Sequence, residues 1–297
     1  MNSFKISIIG SGIVGQAVGK VFAKYDFPVI FFDIDAKKLK ILKEYGLTTL
    51  NLEEAILGSN ISFFTLPTPT INKRFDGSVI EPTFTQATKY LARKKFYHLF
   101  VIKSTVMVGF TEKLTQRFKK LGQKVLGKDY GICVNPEFLR SESPEEDFEG
   151  EECPVIIGQS DPKAGSALEK LYRVLGKRAN KKYEILKTDP RTAEMIKYAS
   201  NCFLASKISF FNQLKEICEK LNIDPRLIVK FTLDKKTDHW CRRDFLKLGF
   251  QDECLPKDLS AFLTFCINDL NSKAEILEAV KKINKRVIAK SKNINKK

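Results

Sequence analysis

The sequence predicts an α/β fold: a Rossmann-like, doubly wound parallel sheet followed by an all-helical domain with one long helix. Short β-branched or aromatic runs alternate with helical stretches through about residue 187, the first of these runs opens into a glycine loop, and from Thr188 onward the strand signals stop. The expected domains are therefore 1–187 and 188–297.

Taken in order, the strand candidates are KISIIG, PVIFFD, ISFFTL, HLFVIK, YGICVN, PVIIG and KYEIL. Several are apolar at nearly every position, as strands covered on both faces must be. Pro190 suits the first turn of a helix, and no Pro or Gly interrupts the chain before Pro225, so one helix of about 30 residues and roughly 45 Å is expected. Asn222, Asp224 and Pro225 punctuate a following short helix. Another begins around Pro256, ahead of Leu259, Phe262 and Leu263. From Lys273 onward, Ile276, Leu277, Val280, Ile283 and Val287 recur at amphipathic helical spacing.

Totals bound the class of protein. A chain of 297 residues with 43% apolar content is expected to fold as two domains. No apolar run of about 18 residues and no secretory pattern is present, so neither membrane insertion nor export is expected. Seven cysteines without a CxxC pair predict neither a disulfide framework nor a zinc site, and they fit a reducing cytoplasm. The net charge of +16 owes half its excess to the last 17 residues, where Lys281, Lys282, Lys285, Arg286, Lys290, Lys292, Lys296 and Lys297 stand without an acid. A solvated basic tail is the expected reading, with nucleic acid not a predicted partner.

Gly10, Gly12 and Gly15 follow a strand and open a helix, with Ile13 and Val14 between the last two glycines. In that setting a GxGxxG spacing provides a tight turn, close approach of backbone to pyrophosphate, and helix amides that bind it. The next strand ends at Asp33, 23 residues after Gly10, where a carboxylate accepts both hydroxyls of an adenine ribose. A 2′-phosphate there would be repelled, so the expected cofactor is NAD, with Lys38 as a further contact.

Downstream, EMIKYASN places Lys197 and Asn201 one turn apart on one helix face, and GFQDECLPKD carries Cys254 and, four residues on, Asp258. A thiol, an ammonium and an amide at one site would suit covalent catalysis. These segments, with GSGIVGQAVG, LPTPT (66–70), KSTVMVGFT (103–111), NPEFLR (135–140) and the longer EMIKYASNCFLASKISFFNQL (194–214), occur in the order and near the spacing of one family. The chain resembles the UDP-glucose/GDP-mannose dehydrogenases, which oxidise the C6 alcohol of a nucleotide sugar to a carboxylate with two NAD.

The resemblance implies roles. Cys254 would capture the aldehyde and carry the thioester, its thiol, of ordinary pKa about 8.5, needing a nearby cation to ionise. Lys197 would supply that field and hold the developing alkoxide. Asn201 would donate to the same oxygen or to a water, and Asp258, Glu137 and Thr105 would order water and serve acid-base steps. Thr68 would contact the cofactor, as would Thr105. A UDP-glucose-like nucleotide sugar is the implied substrate and a homodimer through the helical part the implied assembly.

Departures from the pattern cluster on the sugar side. The family's GFGGSC reads Gly249, Phe250, Gln251, Asp252, Glu253, Cys254 here, and inward-pointing acids beside the thiol would raise its pKa. The arginine of a DxRIG segment is not evident among Asp238, His239, Trp240, Cys241 and Arg242, Ser141 follows PEFLR in place of an acid, and Met107 replaces a proline. The family's third, nucleotide-binding domain is expected to be missing, which would weaken substrate alignment. Two further readings stay open: a non-catalytic NAD-binding relative, and a single-hydride dehydrogenase of the 6-phosphogluconate or 3-hydroxyacid type.

Overall fold

A computed structural model describes residues 4–121, 124–151, 153–232, 249–252 and 254–294. The chain divides into two compact units, Met1–Thr68 with Gly77–Lys197, and Pro69–Asp76 with Tyr198–Lys297.

The first unit is the sheet. β1 (Ile6–Ile9), α1 (Ile13–Lys24), β2 (Val29–Phe32), α2 (Ala36–Lys40), β3 (Leu47–Thr49), α3 (Leu52–Gly58) and β4 (Ile61–Phe64) form its first half. The chain leaves for a hairpin, β5 (Thr70–Ile71) and β6 (Arg74–Phe75), that belongs to the second unit. It resumes with α4 (Ile80–Lys89), β7 (His98–Ile102), α5 (Phe110–Leu121), β8 (Tyr130–Val134), α6 (Pro144–Glu149), β9 (Val155–Gln159), α7 (Pro162–Ala179) and β10 (Ile185–Thr188).

Strand order is β10-β9-β8-β7-β4-β1-β2-β3. All neighbours run parallel except β8 and β9, which pair antiparallel. A sheet parallel throughout is what the sequence predicts, and the exception lies where only the six-residue α6 separates two strands. The central strands are buried at every position, as their unbroken apolar runs require. On one face Phe22 packs against Phe27, Phe63 and Phe148, and on the other Phe84 packs against Phe64, Phe100 and Phe118.

α8 (Pro190–Leu221) is the predicted long helix, of 32 residues, and the division between units falls within it. α9 (Pro225–Thr232), α10 (Leu255–Thr264) and α11 (Glu275–Ile294) follow. In the second unit the Tyr198 and Phe262 rings stack at 5.3 Å, joining α8 to α10. The basic α11 sets Arg286 and Lys290 on Glu216, at 2.9 and 2.7 Å. No helix among the described residues is long and apolar enough to cross a membrane.

Candidate active site

The glycine loop is built as its spacing predicts. Gly10 has φ +100°, a conformation that side-chain-bearing residues rarely adopt. A Cβ on Gly15 would stand 2.0 Å from the Gly10 carbonyl oxygen, so only glycine lets α1 approach β1 this closely. Gly12 has nothing within 4 Å of where a Cβ would be, which leaves open space against the backbone for a pyrophosphate. Ile13, at the start of α1, is more than half exposed, and Val14 packs against the core.

Asp33 stands just past β2 and is buried. Its Oδ2 accepts from the Ser11 amide at 2.7 Å and its Oδ1 from the Asp35 amide at 2.9 Å. The carboxylate therefore orders the loop from below while retaining acceptor capacity for ribose hydroxyls. Lys38 Nζ lies 3.7 Å from the same Oδ2, a half-exposed pair worth little in stability. The Ser11 contact was not legible in advance, because it joins residues 22 apart through a backbone donor.

Also in the first unit, Thr68, Thr105 and Glu137 follow β4, β7 and β8, with Lys197 on α8 beside Glu137. Thr68 is buried and its hydroxyl donates to the Thr105 carbonyl at 2.8 Å, fixing the backbone of the segment after β7. Lys197 is 5% exposed, with its Nζ 3.2 Å from Glu137 Oε1 and 5.3 Å from the centre of the Phe138 ring. The Glu137 Oε2 accepts from the Leu139 amide at 2.7 Å. Burial alone would push the Glu137 carboxyl up, but the Lys197 ammonium, the Leu139 amide and the nearby Lys103 together hold it below the ordinary carboxylate range.

Lys103, which sequence reasoning did not single out, is 3% exposed and donates to Asn135 Oδ1 at 3.0 Å. Burial brings its amine down to about 7. Asn135 also accepts from the Tyr172 hydroxyl at 2.5 Å and donates to the Ile156 carbonyl at 2.8 Å, so the turn carrying Glu137 is held from several sides.

The second unit holds the thiol and its neighbours. Cys254 is the exposed residue that begins α10. Its carbonyl accepts the Asp258 amide at 2.9 Å, the first intrahelical bond. Asp252 Oδ1 accepts from the Leu255 amide at 3.0 Å, so this acid caps α10; Glu253 lies outside the described residues. Asp258 is 2% exposed, accepting from Asn201 Nδ2 at 2.7 Å through Oδ2 and pairing with Lys257 Nζ at 2.6 Å through Oδ1. Asn201, one turn beyond Lys197 on α8, is thus committed to Asp258.

Gly249, at φ +76°, donates its amide to Asn212 Oδ1 at 3.1 Å, and Asn284 both accepts from the Phe250 amide and donates to the Phe250 carbonyl. This clamp sets the entry to the cysteine segment. The Asp238 to Arg242 stretch lies outside the described residues. Six described cysteines, Cys254 among them, are not in disulfides, and no His, Cys, Asp and Glu cluster among the described residues could hold a metal.

Two stretches match the UDP-glucose/GDP-mannose dehydrogenase family: residues 43–176 match its NAD binding domain and residues 191–286 its central domain. The chain is 32% identical over 305 residues to the UDP-glucose 6-dehydrogenase YwqF of Bacillus subtilis, a match covering 94% of this chain and 65% of that protein. It is 33% identical over 286 residues to the UDP-glucose 6-dehydrogenase AglM of Haloferax volcanii, covering 87% and 64%. A UDP-glucose dehydrogenase structure from Pyrobaculum islandicum matches with a TM-score of 0.83 at 29% identity, over 96% of this chain and 68% of that one. The chain spans about two thirds of the length of these relatives. This chain belongs to the UDP-glucose/GDP-mannose dehydrogenase family, its first unit carrying the stretch that matches the NAD binding domain.

Proposed function

We propose that the protein oxidises the C6 alcohol of a UDP-glucose-like nucleotide sugar to the uronate, with NAD as acceptor and Cys254 as the covalent carrier. The observation that carries this reading is the placement of Cys254 at the start of α10, one turn before the buried Asp258–Asn201 pair. The names of the relatives support the substrate class. We also read it as cytoplasmic, where thiols stay reduced.

NAD, when bound, supplies the two-electron acceptor for both oxidations. Gly10, Gly12, Ile13, Val14, Gly15, Asp33, Lys38, Thr68 and Thr105 are the residues assigned to hold it. The amides and dipole of a helix N-terminus favour a thiolate, and the start of α10 is the setting proposed for Cys254. That thiolate adds to the C6 aldehyde, forming a C–S bond as the carbonyl oxygen becomes an alkoxide, and Lys197 holds the alkoxide as its charge develops. After the second oxidation the thioester is cleaved by water, which adds at the carbonyl carbon as the C–S bond breaks. Glu137, held ionised beside Lys197, takes the proton of that water, with Thr105 orienting it. Asp258 and Asn201 keep the start of α10 and its sulfur in place.

Two NADH per sugar, measured by absorbance with UDP-glucose or GDP-mannose in excess NAD, is the expected result. One NADH without thiol dependence would instead identify a single-hydride dehydrogenase, and none with NAD still bound would identify a non-catalytic binder.

A homodimer through α8 belongs to the same proposal. Phe203, Phe210 and Ile217 stand seven residues apart and are 62%, 56% and 47% exposed, an apolar stripe of the kind that marks an interface. Phe210→Asp is expected to shift the protein from dimer to monomer in light scattering with sedimentation as a check. An unchanged mass would exclude this face.

A further inference from the structure

α5 begins without a side-chain cap of its own. The residue before it is Gly109, at φ +89°, which carries no side-chain oxygen to accept the amides left open at a helix start. The missing acceptor comes from a helix 85 residues away: Glu194 Oε2 accepts from the Gly109 amide at 2.6 Å and Oε1 from the Thr111 amide at 2.9 Å. Glu194 is 1% exposed and lies one turn before Lys197 on α8.

The segment tied down in this way is the one that carries Thr105. Its upstream end is fixed by the Ser104 hydroxyl donating to the Leu66 carbonyl at 2.7 Å and by the Thr68 hydroxyl on the Thr105 carbonyl. Its middle closes on itself where the Phe110 amide meets the Met107 carbonyl at 2.9 Å. Glu194 fixes its downstream end to the helix of Lys197.

We propose that Glu194 is a positioning residue of the dehydrogenase site, a two-point latch that fixes the Thr105 turn relative to Lys197. The functional half of this inference rests on the reading given above for Thr105 and Lys197, and the latch itself does not. At φ +89° position 109 disfavours any side chain, so the turn cannot supply its own Asp or Ser cap there and takes it from α8 instead. Borrowing the cap makes the geometry of two site residues depend on one carboxylate.

Glu112 on α5 acts on Glu194 as a like charge and is itself paired with Arg191 on α8 at 2.6 Å. Burial pushes the Glu194 carboxyl up to about 7, against the lowering effect of the Thr111 and Gly109 hydrogen bonds. A carboxyl whose value is raised when the latch is closed favours closure at lower pH. Between a closed value of about 7 and an ordinary open value of about 4.5, closure is favoured about tenfold more at pH 6 than at pH 8.

Amide hydrogen exchange of the 105–115 segment, corrected for intrinsic rates and read at pH 6 and pH 8, tests the latch without turnover. Wild-type protein is expected to lose about tenfold protection at Gly109 and Thr111 as pH rises over that interval. Glu194→Gln, neutral at both values, is expected to show no such pH dependence, and Glu194→Ala to lack protection at both. In turnover Glu194→Gln is expected to lower kcat about tenfold with the KM for NAD held within about twofold. Exchange that is alike in wild type and Glu194→Gln at both pH values overturns the proposal, as does an unaltered kcat beside altered exchange. An inactive wild-type protein with the expected exchange pattern would count against the dehydrogenase reading and in favour of the latch.

Discussion

Replacing Cys254 with serine is expected to abolish uronate formation, by a factor of at least about 10³, while the fold and NAD binding stay as they are. Sulfur to oxygen is a small change at an exposed helix start, so stability should move by no more than about 0.5 kcal/mol. The cofactor residues lie in the other unit and are not altered. What changes is the nucleophile: a thiol, of ordinary pKa about 8.5, ionises far more readily than a serine hydroxyl. Product assay by chromatography, alongside NAD titration and thermal melting, checks all three parts. Uronate formed by the serine variant at more than about a tenth of the wild-type rate would remove the cysteine from the mechanism.

Lys197→Met is expected to cost both stability and activity, and the two losses can be separated. Glu137 is largely buried, and its carboxylate is held ionised by the ammonium 3.2 Å away. Taking away one partner of such a pair leaves a buried uncompensated charge and costs about 3–5 kcal/mol. Because the Glu137 carboxyl is depressed in the folded protein, its contribution is present above the ordinary carboxylate value and is lost as pH falls through the folded one. The Lys197→Met variant reverses the sign: Glu137 then prefers the neutral form, and destabilisation shrinks as pH falls.

Adding Glu137→Gln to Lys197→Met should recover most of the stability, since both charges are then gone. Under the proposed mechanism activity should not return, because a cation holding the alkoxide would be worth about 10²–10³ in rate by itself. Denaturant unfolding at pH 5 and pH 8, with kcat beside it, reads the cycle. A double variant as unstable as the single one would mean that Lys197 acts through something other than Glu137.

How much of this was legible in the sequence differs by residue. Elements with their own periodicity were: the strands of the large sheet other than the three-residue β3, α8 between Pro190 and Pro225, and the glycine loop, where Gly10 and Gly15 answer to local steric demands. The candidate site residues Lys197, Glu137, Asn201 and Asp258 are proposed from motif order, by residue type. Their partners were not legible, because Asn201 on Asp258 and Lys197 on Glu137 are contacts across 57 and 60 residues that no local pattern encodes.

The β5–β6 hairpin was missed because it has two residues per strand, too few for a period; its turn signal is Asn72 with Lys73, both at positive φ. Glu194 was read as part of a helical motif, although Gly109 at the start of α5 is a hint that a cap must come from elsewhere. The reversal at β9 had no local signal, since its apolar run fits a buried strand of either direction.

The reading stands or falls on covalent capture at Cys254. Protein incubated with UDP-glucose and NAD, quenched in acid within a turnover and digested for mass spectrometry, should carry a sugar acyl adduct on the Cys254 peptide and on no other cysteine. Full uronate production with that peptide unmodified at every quench time, or an adduct on a different cysteine, would contradict it.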